Sequence, residues 1–131
     1  MPITEADYYV LKGIKAMEEE DNKAAVDFFS SALEIDSYLG EAYGFRGMVY
    51  FVLGNNHAAL DDFNSALNLE PELENTYFFR GLYFMKVRLY DQEVKEIASA
   101  IAIDKYFPHA YLYRGICKGI EAEKEIAFFR N

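Results

Sequence analysis

Residues 43–50 have the sequence YGFRGMVY, and the glycine in it, Gly47, belongs to a series with constant spacing. Glycines recur every 34 residues along the chain, at Gly13, Gly47, Gly81 and Gly115. A tyrosine stands four positions before each glycine and a basic residue immediately before it: Tyr9, Tyr43, Tyr77 and Tyr111, then Lys12, Arg46, Arg80 and Arg114. Three residue types that share one period indicate an internal repeat covering nearly the whole chain.

Each unit of this repeat is predicted to contain two helices. After the tyrosine–glycine segment comes a turn, and then a segment whose apolar residues recur at spacings of three and four, as on one face of a helix. We predict helices near residues 5–18, 22–35, 40–52, 56–69, 74–87, 91–103 and 109–120. The tail from Glu121 to Arg130 either extends the last helix or forms a short eighth one.

Residues that favour helix ends stand near these boundaries. Thr4 with Asp7 predicts an N-terminal capping box, and Asn56 and Asp91 are predicted to cap second helices of the repeats. Gly54 predicts a residue with left-handed backbone just after a helix.

The pattern closely resembles the tetratricopeptide repeat, a unit of about 34 residues. Residues 40–73 match its signature best, through Tyr43, Gly47, Tyr50, Gly54, Ala59, Phe63, Ala66 and Pro71. The resemblance implies an all-α fold, a right-handed solenoid of antiparallel helix pairs. It also implies one domain over residues 1–131, with repeats at 6–39, 40–73 and 74–107 and a capping helix and tail at 108–131. The first repeat departs from the signature because Glu20 replaces the turn glycine.

Composition and charge narrow the classes of partner. The net charge is −9, which repels phosphate backbones and anionic lipid surfaces, so we expect neither nucleic acid nor membrane as a partner. The single cysteine, Cys117, cannot form an intramolecular disulfide, and residues 1–7 lack the pattern of a secretory signal. We therefore expect a cytoplasmic protein.

The repeated tyrosines and arginines are predicted to be structural. The tyrosines share a helix face with the glycines and are expected in the core. Arg46, Arg80 and Arg114 are expected to form ion pairs with acidic residues of the second helices, among them Asp62 and Glu96. The alternative for these arginines is a phosphate or carboxylate ligand.

The opposite arc of each first helix corresponds, in tetratricopeptide proteins, to the lining of a concave groove. In this chain that arc is mostly apolar, and such a surface on a free monomer requires an explanation. The candidate groove residues are Phe45, Met48, Val52, Phe78, Phe79, Leu82, Leu112, Tyr113 and Ile116, together with the polar Asn75 and His109. An acidic rim formed by Asp7, Glu41 and residues 18–21 would favour a basic flank on a bound peptide.

Three explanations for this apolar arc stay open. An apolar or amphipathic peptide or helix of a protein partner could be held along the groove. The chain could instead self-associate as a homodimer, with the groove filled by a second copy or by its own C-terminal tail. Adjacent first helices could also pack on one another through these residues.

Two more specific functions are disfavoured by the residues present. Family members that grip acidic chaperone tails carry Lys, Arg and Asn in the groove, whereas Val10, Ile14, Phe45, Asn75 and Phe79 occupy those places here. His57, His109 and Cys117 form no pair at the spacing of metal ligands, and residues 18–21 lack the pattern of a calcium loop. The sequence therefore predicts a non-catalytic interaction module without a cofactor or metal.

Overall fold

The structure is a computed structural model that describes residues 2–86 together with Gln92, Lys95, Glu96, Ala98 and Ser99. These residues form helices and turns, with no strand among them. The helices are α1 (Glu5–Glu18), α2 (Asn22–Ile35), α3 (Gly40–Val52), α4 (Asn56–Leu69) and α5 (Glu74–Lys86). The helices predicted at 5–18, 22–35, 40–52 and 56–69 are confirmed with the same bounds, and α5 begins where predicted. The five separate positions are helical and lie in the segment predicted as 91–103; the rest of that segment, the helix at 109–120 and the tail lie outside the described residues.

The chain divides into two compact units, Met1–Thr76 and Tyr77–Asn131. In the first unit, α1 packs against α2, α2 against α3, and α3 against α4. We call α1 with α2 the first hairpin and α3 with α4 the second hairpin. The predicted all-α repeat fold is confirmed, whereas the number of repeats and the single domain over residues 1–131 stay predictions.

The helix ends follow the predicted residues with one exception. Thr4 and Asp7 form the predicted capping box at the start of α1, and Gly54 has the predicted left-handed backbone, with φ of 82°. The predicted cap at Asn56 is wrong, because Asn56 is the first residue of α4 and the side chain of Asn55 accepts the bond from the backbone N–H of Ala58 at 3.4 Å. Asp91 lies outside the described residues.

The core of the first unit is built around two equivalent phenylalanines, Phe29 and Phe63, which are both fully buried. Each ring lies directly against a repeated glycine. A Cβ atom added to Gly13 would stand 2.5 Å from the ring of Phe29, and one added to Gly47 would stand 2.8 Å from the ring of Phe63. The period of 34 residues therefore places a glycine where two helices of a hairpin approach most closely.

The repeated tyrosines lie at the border of the core, not inside it as predicted. Tyr9, Tyr43 and Tyr77 are half-buried, and Tyr111 lies outside the described residues. The ring of Tyr9 stacks on Phe28 of α2 with centroids 6.5 Å apart. A phenol group gains from this position because its ring is packed while its hydroxyl stays near water.

Arg46 forms the predicted ion pair with Asp62 and joins three helices. Its Nε and Nη2 donate to the two carboxylate oxygens of Asp62 on α4, each at 2.8 Å, and Nη1 donates to Ser30 Oγ on α2 at 3.1 Å. The hydrogen bonds that Arg46 donates to Asp62 raise the pKa of Arg46, which desolvation by burial alone would lower. In the second unit Arg80 pairs with Glu96 as predicted, and Arg114 lies outside the described residues.

Candidate functional site

A pocket of about 220 Å³ lies between α3 and the first turn of α5, within the first unit. Its wall on α3 and its wall at the start of α5 both belong to the predicted groove. The lining residues are Glu41, Gly44, Phe45, Met48, Leu73, Glu74, Asn75 and Thr76. The structure therefore brings together three of the predicted groove residues, Phe45, Met48 and Asn75.

The α3 wall follows from helix geometry. Glu41, Gly44, Phe45 and Met48 are spaced by three, one and three residues, which places them on one face of the helix. The opposite wall begins in the connection between α4 and α5. There the backbone N–H of Leu73 donates to the Glu70 carbonyl at 3.3 Å, in a turn that leads into α5.

The floor of the pocket is continuous with the hydrophobic core. Phe45 is half-buried, and its ring stacks on that of Phe29 with centroids 5.6 Å apart and planes inclined by 14°. Phe45 packs against the buried cluster of Ala16, Ala25, Phe29 and Val49, and so do Val10 and Ile14 of α1. Part of the apolar arc is thus used in internal packing, while Met48 is half-buried at the pocket without belonging to that cluster.

A glycine lines the pocket at the position where the first hairpin has a larger side chain. Gly44 is the equivalent of Val10, one period earlier. A Cβ atom on Gly44 would lie 2.8 Å from Thr76 Oγ1, so the residue permits a close approach between α3 and the first turn of α5. Thr76 is 5% exposed, and its hydroxyl forms no hydrogen bond within the part of the chain that the structure describes.

Two carboxylates flank the pocket. Glu41 is exposed and Glu74 is half-buried, and neither forms an ion pair with another described residue. Among the other residues predicted for the acidic rim, Asp7 and Asp21 are engaged in capping α1 and α2, and residues 18–20 are exposed. Glu41 is the rim residue that lines the pocket.

The remaining predicted groove residues do not line this pocket. Val52 is 70% exposed at the end of α3. In the second unit Phe79 and Leu82 are half-buried, whereas Phe78 is only 7% exposed and lies edge-on to Phe79 with centroids 5.3 Å apart. Phe78 thus does not lie on an open surface, because the apolar residues of α5 occupy more than one face of the helix and the face that carries Phe78 is buried. His109, Leu112, Tyr113 and Ile116 lie outside the described residues.

Four lining residues were not among the predicted groove residues, namely Gly44, Leu73, Glu74 and Thr76. A signal for Gly44 is present in the sequence, since the equivalent positions hold Val10, Phe78 and Leu112 and a missing side chain on a groove face indicates a gap. Leu73, Glu74 and Thr76 depend on the path of the connection between α4 and α5, for which the sequence carries no comparable signal.

His57 and Cys117 are two other side chains considered for metal binding in the sequence. His57 is exposed and lies 3.6 Å from the carboxylate of Asp61, one helical turn away, while Cys117 lies outside the described residues. No group of three or more His, Cys, Asp or Glu side chains in the described part of the chain is arranged to hold a metal ion. Among the described helices, none combines the length and apolar character needed to cross a membrane.

Known proteins resemble the chain in one segment by sequence and over most of its length by structure. The family model of the tetratricopeptide repeat matches residues 40–73, the second hairpin with its flanking turns. No curated protein matches the chain by sequence.

Three solved tetratricopeptide domains illustrate the structural likeness. The domain of Arabidopsis OM64 is 17% identical, with a TM-score of 0.84 over 87% of this chain and 94% of that one. The first domain of Spaghetti (RPAP3), bound to the HSP90 peptide SRMEEVD, is 19% identical, with a TM-score of 0.87 over 93% and 99%. The Sgt2 domain from Aspergillus fumigatus is 19% identical, with a TM-score of 0.87 over 95% and 83%. Residues 40–73 thus match the tetratricopeptide repeat by sequence, and the chain shares the fold of solved tetratricopeptide domains.

Proposed function

We propose that this chain is a non-catalytic interaction module that holds an apolar or amphipathic segment of a protein partner in the groove between α3 and the start of α5. The observation that carries the proposal is the pocket itself, which is open to solvent and has the apolar side chains of Phe45 and Met48 beside the polar Asn75. Pockets of this kind, apolar with a few polar groups at the edge, are where proteins usually bind ligands.

Tetratricopeptide repeats serve as protein-interaction modules, and the Spaghetti domain binds a peptide. We assign that interaction role to the described pocket of this chain, and the chain would then act as an adaptor or scaffold. The net charge of −9 supports a protein partner over nucleic acid. Cytoplasmic placement, the absence of catalysis and the absence of a cofactor belong to the same proposal.

Peptide selection followed by one matched pair of variants tests this role. A phage library of random dodecapeptides would be selected against the chain, and an enriched peptide would be synthesised with a terminal tryptophan. Because the chain contains no tryptophan, the fluorescence of the peptide reports binding without interference from the protein.

We expect Met48→Ala to weaken binding about tenfold, since removing an apolar anchor from an interface often costs 1 kcal/mol or more. Ile35→Ala is the matched control, because Ile35 is an exposed apolar residue at the end of α2 that does not line the pocket. Equal weakening by both variants, or by neither, would contradict the proposed groove.

Self-association is the alternative outcome. If no peptide is enriched and the chain is a dimer in solution at low micromolar concentration, the groove is filled by a second copy. If the chain is a monomer that gains peptide binding only after removal of the residues following Glu121, its own tail occupies the groove.

A further inference from the structure

We propose that the pocket between α3 and the first turn of α5, within the first unit, is a subsite for a lysine or arginine side chain of the partner segment. This inference rests on the proposed function and specifies the chemistry of the residue that enters the pocket. Three features of the lining support it: two carboxylates, an apolar floor and a buried hydroxyl.

The two carboxylates provide the charge complement. Glu41 reaches the pocket from α3 and Glu74 from the first residue of α5, so the two acidic groups stand on opposite walls. Neither has a cationic partner within the described residues. A cation placed between them would interact with both, and such charge-assisted hydrogen bonds are stronger than neutral ones.

The floor suits the rest of a long basic side chain. Lysine and arginine carry aliphatic stems that pack on apolar surface while their charged ends stay near water or an acidic group. Phe45 and Met48 supply that surface, and methionine adapts its shape to irregular partners. Gly44 lines the same pocket, where its backbone lies against Thr76.

The hydroxyl of Thr76 is the third feature. Thr76 is buried and lines the pocket, yet its hydroxyl has no hydrogen-bond partner among the described residues. Buried polar groups in proteins are nearly always paired, so an unpaired hydroxyl at a pocket indicates a missing donor or acceptor. The N–H groups of lysine or arginine are donors, and a hydroxyl accepts from them.

The ligand of a structural relative provides a contrast. The peptide bound by the Spaghetti domain, SRMEEVD, has three acidic residues among seven. In the present chain an acidic side chain would meet Glu41 and Glu74 as well as an overall charge of −9. The charges thus favour a basic segment, which the overall field would also steer toward the pocket.

Two measurements on the intact chain test this inference. In the random dodecapeptide library, we expect enriched peptides to carry Lys or Arg next to an apolar residue. With one synthetic enriched peptide, we expect Glu41→Gln and Glu74→Gln each to weaken binding about threefold, as for a partly exposed charge pair. The effect should shrink as salt is added. Glu72→Gln is the control, because Glu72 is exposed two residues before α5 and does not line the pocket.

The outcomes separate the two levels of the proposal. Enriched peptides that are uncharged or acidic, or binding that Glu41→Gln and Glu74→Gln leave unchanged, would overturn the basic subsite while the interaction role stands. Absence of any enriched peptide would overturn both. Replacing the basic residue of the peptide by norleucine should weaken binding to the wild type about tenfold, and binding to the Glu41→Gln/Glu74→Gln double variant no more than about twofold.

Discussion

The first and second hairpins share the glycine–phenylalanine contact, and four of the equivalent positions at which they differ explain how they diverge. Lys12 and Phe28 occupy the places of Arg46 and Asp62, Glu20 occupies that of Gly54, and Val10 occupies that of Gly44. In the first hairpin Lys12 lies over the ring of Tyr8, with its Nζ 5.5 Å from the centroid, and Phe28 stacks on Tyr9. In the second hairpin, Arg46 and Asp62 form an ion pair and Gly44 lines the pocket.

The residues that the two hairpins share determine the fold, and the residues that differ distinguish one repeat from the other. Ala25 and Ala59, Phe29 and Phe63, and Ala32 and Ala66 are equivalent pairs, and all six residues are fully buried. They define the hairpin. At the position of Phe28 and Asp62, the two helices are joined by an apolar contact in the first hairpin and by an ion pair in the second. Of the two hairpins, the second also has a glycine, Gly44, that lines a pocket.

The largest loss of stability is expected from breaking the ion pair between Arg46 and Asp62, which the first hairpin lacks. Asp62→Ala should lower the free energy of unfolding by about 3 kcal/mol, because it leaves the guanidinium of Arg46 without its carboxylate in a mostly buried site. Urea unfolding followed by far-UV circular dichroism measures the change.

Asp61→Ala is the neighbouring control and should cost under about 0.5 kcal/mol, since Asp61 is exposed. The double variant Arg46→Met/Asp62→Leu should recover most of the lost stability, because an apolar pair can replace a buried ion pair. If Asp62→Ala were no worse than Asp61→Ala, the pair would not stabilise the second hairpin.

The shared glycines should give effects of similar size in both hairpins. Gly13→Ala and Gly47→Ala should each destabilise the protein by about 2 kcal/mol, because the added methyl group overlaps the ring of Phe29 or Phe63. The two losses should be alike, because the closer overlap at Gly13 is matched at Gly47 by a second contact, 3.2 Å from the carbonyl oxygen of Ala59.

Gly40→Ala is the control for these glycines, because its methyl group would meet only the flexible side chain of Glu70 among its nearest contacts. It should change stability by less than about 0.5 kcal/mol. If only one of the two variants Gly13→Ala and Gly47→Ala had a lower melting temperature than the wild type, the two cores would not be equivalent.

The smallest effect concerns the turn after each first helix, where Glu20 has φ of 60° and Gly54 has φ of 82°. Glu20→Gly should stabilise the protein by about 1 kcal/mol, since a side chain strains the left-handed conformation. Gly54→Ala should destabilise it by about the same amount. A Cβ atom at Gly54 meets nothing within 4 Å, so this substitution tests backbone conformation alone.

Equal melting temperatures for wild type, Glu20→Gly and Gly54→Ala would contradict this assignment of strain.

The sequence predicted the helices of both hairpins because one period of 34 residues carries the glycines, the apolar spacing and the turns together. It placed the cap of α4 at Asn56 instead of Asn55, since both residues suit that role and only the backbone dihedrals decide between them. Within the pocket, Phe45, Met48 and Asn75 were predicted from their helix face.

Other parts of the site depend on tertiary packing. The burial of Phe78 and the role of Thr76 required the positions of neighbouring elements, which a helix face does not specify. The connection through Leu73 also required the structure, because a turn of irregular backbone forms that wall of the pocket.

If the pocket lined by Gly44 binds a partner segment, as we propose, replacing Gly44 by the valine that the first hairpin has at this position should block binding. In Gly44→Val alone, the new Cβ atom would overlap Thr76 Oγ1, so the substitution is made together with Thr76→Ala. Thr76→Ala alone is the reference for the double variant. The measurement is the Kd of an enriched tryptophan-labelled peptide, with circular dichroism to verify the fold. We predict that Thr76→Ala binds about threefold more weakly than the wild type, because it removes one acceptor of the subsite, and that the double variant binds at least about tenfold more weakly than Thr76→Ala. A folded double variant that binds the peptide as tightly as Thr76→Ala would contradict binding of the partner segment in this pocket.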